Sequence, residues 1–109
     1  LAQPATLVDI GRIAALREIR VTEGEVTVGA LATHQQVAEH ETVRERLAAL
    51  AEAAGAVGDL QVRARGTIGG SLAHADPAAD EPAPTLAFEA TLRAVGPKGD
   101  RRIAARDFF

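Results

Sequence analysis

Arg65-Gly66-Thr67-Ile68-Gly69-Gly70-Ser71-Leu72 runs straight on into Ala73-His74-Ala75-Asp76-Pro77-Ala78-Ala79-Asp80, so three glycines, two hydroxyls and two carboxylates fall in one short, non-repetitive stretch. Glycine removes the Cβ that keeps a polyanion off the main chain, and it permits positive φ, so neighbouring N–H groups can converge on one phosphate oxygen. A phosphate cradle is the chemistry to suspect, with Thr67 and Ser71 as added hydroxyl donors and Ile68 as an anchor in the core. The spacing is not that of a dinucleotide G-x-G-x-x-G, and no Gly-Lys-Ser/Thr closes it as a Walker loop would. A tight turn or bulge also uses paired glycines, and on residue types alone both readings stand.

Asp76 and Asp80 lie four apart. Such a pair can bind a metal, act as acid and base, or accept hydrogen bonds from sugar-type hydroxyls. Asp76-Pro77 and Asp80-Glu81-Pro82 also read as helix starts, in which the carboxylate caps free N–H groups. His34, His40 and His74 show no tight ligand spacing with these acids, so no metal site is expected. His74 is placed to face a ligand of the glycine segment, whereas His34 and His40 read as surface residues of a capped helix. Arg63 and Arg65 alternate with Val62 and Ala64 in the manner of exposed strand residues, a structural role rather than phosphate neutralisation. No nucleophile elbow, cysteine nucleophile or triad can be assembled, so no catalytic side chain is expected.

The elements that must position these groups are marked by local signals. Ile19 and Val21 alternate with polar neighbours, Glu23-Gly24 intervenes, and Val26 and Val28 resume the alternation, which predicts an antiparallel hairpin. The apolar piece from Leu7 to Ile10 is expected to pair with the same sheet. Thr91 to Val95, the turn Gly96-Pro97-Lys98-Gly99-Asp100 and Arg102 to Ala104 predict a second hairpin. Thr33 with Gln36 and Thr42 with Glu45 are capping-box patterns that start a short helix and a longer one. In the longer helix Val43, Leu47, Leu50, Ala54 and Val57 form one apolar stripe, expected to pack on a sheet. A further helix is predicted from Asp80 to about Glu89. Strands, then helices, then strands give an α+β fold, a mostly antiparallel sheet with packed helices.

The 109 residues are 47% hydrophobic, enough for one core, and 12 basic against 15 acidic side chains leave a net charge of -3 with no basic patch. Nucleic acid is therefore not an expected partner. The chain has no cysteine, so disulfides and iron–sulfur ligation by its own residues are excluded. Neither a leader nor a membrane-spanning run is visible, and a cytoplasmic location is the expectation. A start on Leu1 and an end on Phe108-Phe109 point to a piece of a longer polypeptide.

The stretch from Gln61 to Asp80 closely resembles the second flavin-binding signature of the molybdenum hydroxylases, in particular the FAD (medium) subunits of the aerobic carbon monoxide dehydrogenase and xanthine dehydrogenase type. Looser similarity extends from Leu7-Val8-Asp9-Ile10 through Val28-Gly29-Ala30-Leu31-Ala32-Thr33-His34 to Asp107-Phe108-Phe109. The resemblance implies the second subdomain of a two-subdomain (PCMH-type) FAD-binding fold, with residues 1–109 forming part of one such domain. It implies FAD as cofactor, its diphosphate held by the backbone and hydroxyls of Thr67, Ile68, Gly69, Gly70 and Ser71. Asp80 is implied as acceptor for a sugar-type hydroxyl, and Val57 falls where the family has an apolar or aromatic residue against the cofactor, although the helix stripe also explains it. Ser71 stands where family members often have Asn. The family's first glycine-rich flavin segment, expected upstream of Leu1, is not in this chain. By the same resemblance the partners are a large subunit with the molybdenum cofactor and a small iron–sulfur subunit, and the flavin delivers electrons to an external acceptor. A cofactor-free interaction domain of the same fold, or a module for another phosphorylated small molecule, is the alternative.

Overall fold

A computed structural model describes residues 3–109, and the Leu1-Ala2 start lies outside them. Five helices follow the first hairpin: α1 (His34–Glu39), α2 (Glu41–Arg46), α3 (Ala48–Ala56), α4 (Leu60–Arg65) and α5 (Ile68–His74). After a turn come α6 (Pro82–Ala87), a second hairpin and α7 (Ala105–Phe108). The architecture is α+β, with two separate two-stranded antiparallel sheets flanking a helical centre.

In the first hairpin β1 (Ile19–Val21) pairs with β2 (Val26–Val28), with Ile19 opposite Val28 and Val21 opposite Val26. Arg46 ties its turn to α2 by donating from Nη1 to the carbonyls of Thr22 at 3.0 Å and Glu23 at 3.3 Å. The Leu7–Ile10 run does not join this sheet. Asp9 accepts a hydrogen bond from the Gly11 amide at 2.8 Å and the Ile13 amide bonds the Ile10 carbonyl at 3.1 Å, which turns the chain away. Residues 29–31 carry the β1–β2 pairing past the strand ends: the Gly29 amide donates to Glu18 and the Leu31 amide to Leu16, each at 2.8 Å. Gly29 is required here, because a Cβ on it would lie 2.2 Å from the Leu16 carbonyl oxygen.

The expected apolar stripe holds from Val43 to Ala54, but it spans two helices, and Val57 is the extended residue that follows α3. Leu47 leaves helical geometry at φ -130° and ψ 52°, while its amide still donates to Val43 at 2.8 Å and its carbonyl still accepts from Leu50 and Ala51. The break therefore leaves no backbone group of Leu47 unpaired. Helix α2 starts one residue before Thr42, with His40 rather than Thr42 as its cap, its Nδ1 accepting weakly from the Val43 amide at 3.5 Å. The stripe does not lie on a sheet. Val43, Leu50 and Ala54 pack with Val37 of α1 and with Ile68 and Leu72 of α5, and strand residues Ile19, Val26, Val28 and Leu92 close the margin of that core. Helix α1 has the predicted capping box, Thr33 Oγ1 accepting from Gln36 and Gln36 Oε1 from Thr33.

The second hairpin, β3 (Thr91–Gly96) and β4 (Gly99–Ala104), turns through Pro97-Lys98 with Gly99 at φ 115°. Its register sets Arg93 directly opposite Arg102. Asp100 offsets that repulsion through a 2.5 Å contact with Arg93, and the hydrogen bond and charge of Arg93 hold the Asp100 carboxyl below the usual carboxylate range. No helix among the described residues is long and apolar enough to cross a membrane.

Candidate functional site

Thr67 is extended, at φ -121° and ψ 154°, and its Oγ1 accepts from the Gly70 amide at 3.1 Å, so it is the N-cap of α5. The glycine pair is thus the first turn of a helix rather than a loop or bulge. Glycine costs a helix about 1 kcal/mol relative to alanine, which asks what else these positions supply.

Gly69 supplies close packing. Its amide donates to the Ala30 carbonyl at 2.9 Å, and a Cβ on it would lie 2.6 Å from both the Ala30 oxygen and the Ala30 Cβ. Next to it the Ile68 amide donates to Ala32 at 3.0 Å and the His34 amide to Gly66 at 3.1 Å, around an antiparallel bridge between Thr33 and Thr67. Gly70 differs. It is exposed, and the one atom that a Cβ there would meet is the Thr67 hydroxyl oxygen, at 3.0 Å, so its α-carbon is less crowded than that of Gly69.

The start of α5 keeps its amides occupied: Ile68 on Ala32, Gly69 on Ala30, Gly70 on the Thr67 hydroxyl and Ser71 on the Thr67 carbonyl. What it offers a ligand is different. The Thr67 oxygen accepts, which leaves its proton to donate, and the half-buried Ser71 hydroxyl has no protein partner among the described residues. Together with the exposed Gly70 they form a short donor ledge.

Asp80 is exposed and caps nothing. Helix α6 starts from Glu81 without any side-chain cap and stops before Glu89, which sits in the left-handed region at φ 53°. Asp76 also starts no helix: its Oδ1 accepts from the Ala78 amide at 2.9 Å and its carbonyl from Ala79 at 2.9 Å, a local turn. The Asp80 carboxylate is therefore unengaged among the described residues, as a hydroxyl acceptor needs to be. His74 is exposed at the end of α5, and Val57 is half-buried at the end of α3.

Arg63 and Arg65 are helical, not strand residues. Asp59 caps α4 by accepting from the Val62 amide at 2.9 Å, a start signal that the short alternation of apolar and basic residues masks. Arg63 clips that helix in place, donating to the carbonyls of Val57 at 3.1 Å and Gly58 at 3.0 Å and to Gln35 at 3.3 Å. It is spent on structure.

One buried pair was not expected. His34 is not a surface residue: its side chain is 6% exposed, and its Nδ1 lies 2.8 Å from Oε1 of Glu81, whose side chain is 0% exposed. The approach is off the hydrogen-bonding direction, so the Glu81 oxygens lack a well-aligned donor among the described residues. No periodicity in the sequence links a histidine at the start of α1 with a glutamate at the start of α6. Among the described residues no cluster of three metal-ligating side chains occurs.

The family model of the FAD binding domain in molybdopterin dehydrogenase matches residues 1–109. The chain is 45% identical over 108 residues to the carbon monoxide dehydrogenase medium chain of Hydrogenophaga pseudoflava, covering 99% of this chain and 38% of that one. It is 40% identical over 109 residues to the 6-hydroxypseudooxynicotine dehydrogenase complex subunit alpha of Paenarthrobacter nicotinovorans, covering 100% and 37%. The fold superposes on a structure of the Hydrogenophaga pseudoflava carbon monoxide dehydrogenase with a TM-score of 0.92 and 46% identity, over 96% of this chain and 37% of that one. The chain thus spans less than two fifths of the length of the relatives it matches.

Proposed function

The chain belongs to the family of FAD binding domains in molybdopterin dehydrogenases, and from that premise we propose that it is one wall of the FAD site in the flavin subunit of a molybdenum hydroxylase similar to carbon monoxide dehydrogenase. Residues 1–109 are then part of one FAD-binding domain. The hydroxyls of Thr67 and Ser71 donate to the diphosphate, and Gly70 lets it approach the main chain. Ile68 and Gly69 hold that ledge in place, Ile68 from the core and Gly69 through its contact with Ala30. Asp80 accepts from a sugar-type hydroxyl, and Val57 offers an apolar contact.

When bound, FAD supplies the redox chemistry, carrying electrons from iron–sulfur clusters to an external acceptor. The residues of this chain bind and orient it. None acts as nucleophile or proton donor to substrate, since oxidation of substrate belongs to a large subunit with the molybdenum cofactor. These 109 residues contain no cysteine, so none of them ligates an iron–sulfur cluster, and the clusters are assigned to a small partner subunit on the resemblance alone. A cytoplasmic location goes with this reading.

The observation that carries the reading is the asymmetry of the glycine pair: backbone packing against Ala30 accounts for Gly69, whereas a Cβ on Gly70 would meet only the Thr67 hydroxyl, itself part of the ledge, at 3.0 Å. Replacing it by a β-branched residue tests the point. In the complete polypeptide Gly70→Val is expected to purify folded with its flavin content strongly reduced, and unchanged flavin content overturns the cradle.

A further inference from the structure

The His34–Glu81 pair lies outside the ledge and outside the acceptor, yet it is joined to the backbone of both. On one side the His34 amide bonds the Gly66 carbonyl at 3.1 Å, and the imidazole lies so close to Gly66 that a Cβ there would come within 2.9 Å of Nε2. Thr33, the residue before His34, bridges Thr67. On the other side Glu81 directly follows Asp80, and its carbonyl accepts from the Thr85 hydroxyl at 2.8 Å and the Thr85 amide at 3.2 Å, holding the first turn of α6.

Stability does not account for this pair. Well-packed apolar residues of the same volume are commonly as good as or better than a buried polar pair, and the poor alignment at Glu81 makes this one less favourable still. What it supplies is a fixed geometry between two segments that are far apart in sequence. Among the described residues the exposed Asp80 side chain makes no hydrogen bond or ion pair that would hold it.

We infer that His34 and Glu81 are positioning residues for the cofactor: the pair sets the Asp80 carboxylate in register with the Thr67–Ser71 ledge, so that one dinucleotide meets its diphosphate and hydroxyl partners together. The inference rests on the proposed role of Asp80 and Thr67–Ser71 in FAD binding.

The test is a double-mutant cycle in the complete polypeptide, reading FAD affinity by flavin fluorescence and the Tm of the apo form. Glu81→Leu leaves the buried His34 imidazole without its partner, so it is expected to lower the apo Tm and to weaken FAD binding by about tenfold. Asp80→Ala weakens binding too, and the double variant binds no worse than the weaker single variant within about twofold, because Glu81 acts through Asp80. Glu81→Gln, which keeps the shape and a hydrogen-bonding end, stays within about threefold of wild type. Wild-type affinity in Glu81→Leu, losses that multiply in the double variant, or Glu81→Gln as weak as Glu81→Leu each overturn the positioning role. Should Glu81→Leu not fold, the paired His34→Leu/Glu81→Leu variant, which leaves neither partner buried alone, is read in the same way. Wild-type affinity in Asp80→Ala removes the acceptor assignment itself, whereas weakened Asp80→Ala with multiplying losses keeps that assignment and removes only the pair's part in it.

Discussion

Two adjacent glycines of identical type do different work here, and the difference lies in what stands opposite each. A methyl group on Gly69 has no space, because the Ala30 oxygen and Cβ are both 2.6 Å from where it would sit and the Gly69 amide is bonded to that same oxygen. Relief requires breaking the hydrogen bond or shifting α5 away from residues 30–34. Gly69→Ala is therefore expected to destabilise the fold by about 1–3 kcal/mol. Gly70→Ala meets only the Thr67 hydroxyl and gains helix propensity, so its stability should stay within about 1 kcal/mol of wild type. Urea unfolding of the two variants checks the contrast, and equal losses would mean that the glycines are interchangeable. The sequence shows both glycines but not Ala30 beside them, and it hides His34 for the same reason. Local pattern makes that histidine a surface residue of a capped helix, and only its encounter with Glu81, a residue from the start of another helix, makes it buried.

At the scale of elements, local signals were legible and distant pairings were not. Both hairpins and the Thr33 capping box stand where alternation, turn residues and cap chemistry put them, because each is decided within a few residues. The stripe faces the core as its spacing implies from Val43 to Ala54, but Val57 lies past the end of α3 and outside that core. The stripe's break at Leu47 and its helical rather than sheet neighbours depend on packing with α1 and α5, which no short window contains. Helix α4 runs against its local pattern, because Val62-Arg63-Ala64-Arg65 alternates like a strand while Asp59 caps it as a helix. In the second hairpin the register that opposes Arg93 and Arg102 gives Asp100 a defined electrostatic role. Its carboxyl titrates lower in the folded chain than in the unfolded one, so its contribution is present above the ordinary carboxylate range and is lost as pH falls through the lowered value. Because both side chains are largely exposed, that contribution is small and weakens with salt. Arg93→Ala is expected to raise the Asp100 pKa toward its ordinary value and to flatten this part of the acid dependence. Carboxyl titration by NMR reads it directly, and an unmoved Asp100 would assign the shift to some other group.

The molecule as a whole exposes more surface than its mass requires. Its accessible area is 7992 Å² for 11.3 kDa, against roughly 5,700 Å² for a free-standing monomer of that mass. Leu7 at 86% and Val8 at 79% exposure stand clear of the core, and each sheet has only two strands, a size that is marginal without further cover. Surface of this kind is normally covered by other protein, and the relatives are more than twice as long as this chain. The candidate site shows the same incompleteness. It has two hydroxyls, one exposed glycine and one free carboxylate, with the amides at the start of α5 already bonded within the chain. A ligand with two phosphates needs more donors than this ledge offers if it is to bind tightly, and each missing charge-assisted hydrogen bond forgoes about 1.5–3 kcal/mol. The 109 residues alone are therefore expected to bind FAD weakly, without stoichiometric quenching of flavin fluorescence at micromolar concentrations, whereas the complete polypeptide quenches it stoichiometrically. Titration of both with FAD under the same buffer decides the matter, and tight one-to-one quenching by the short chain would place the whole cradle within it.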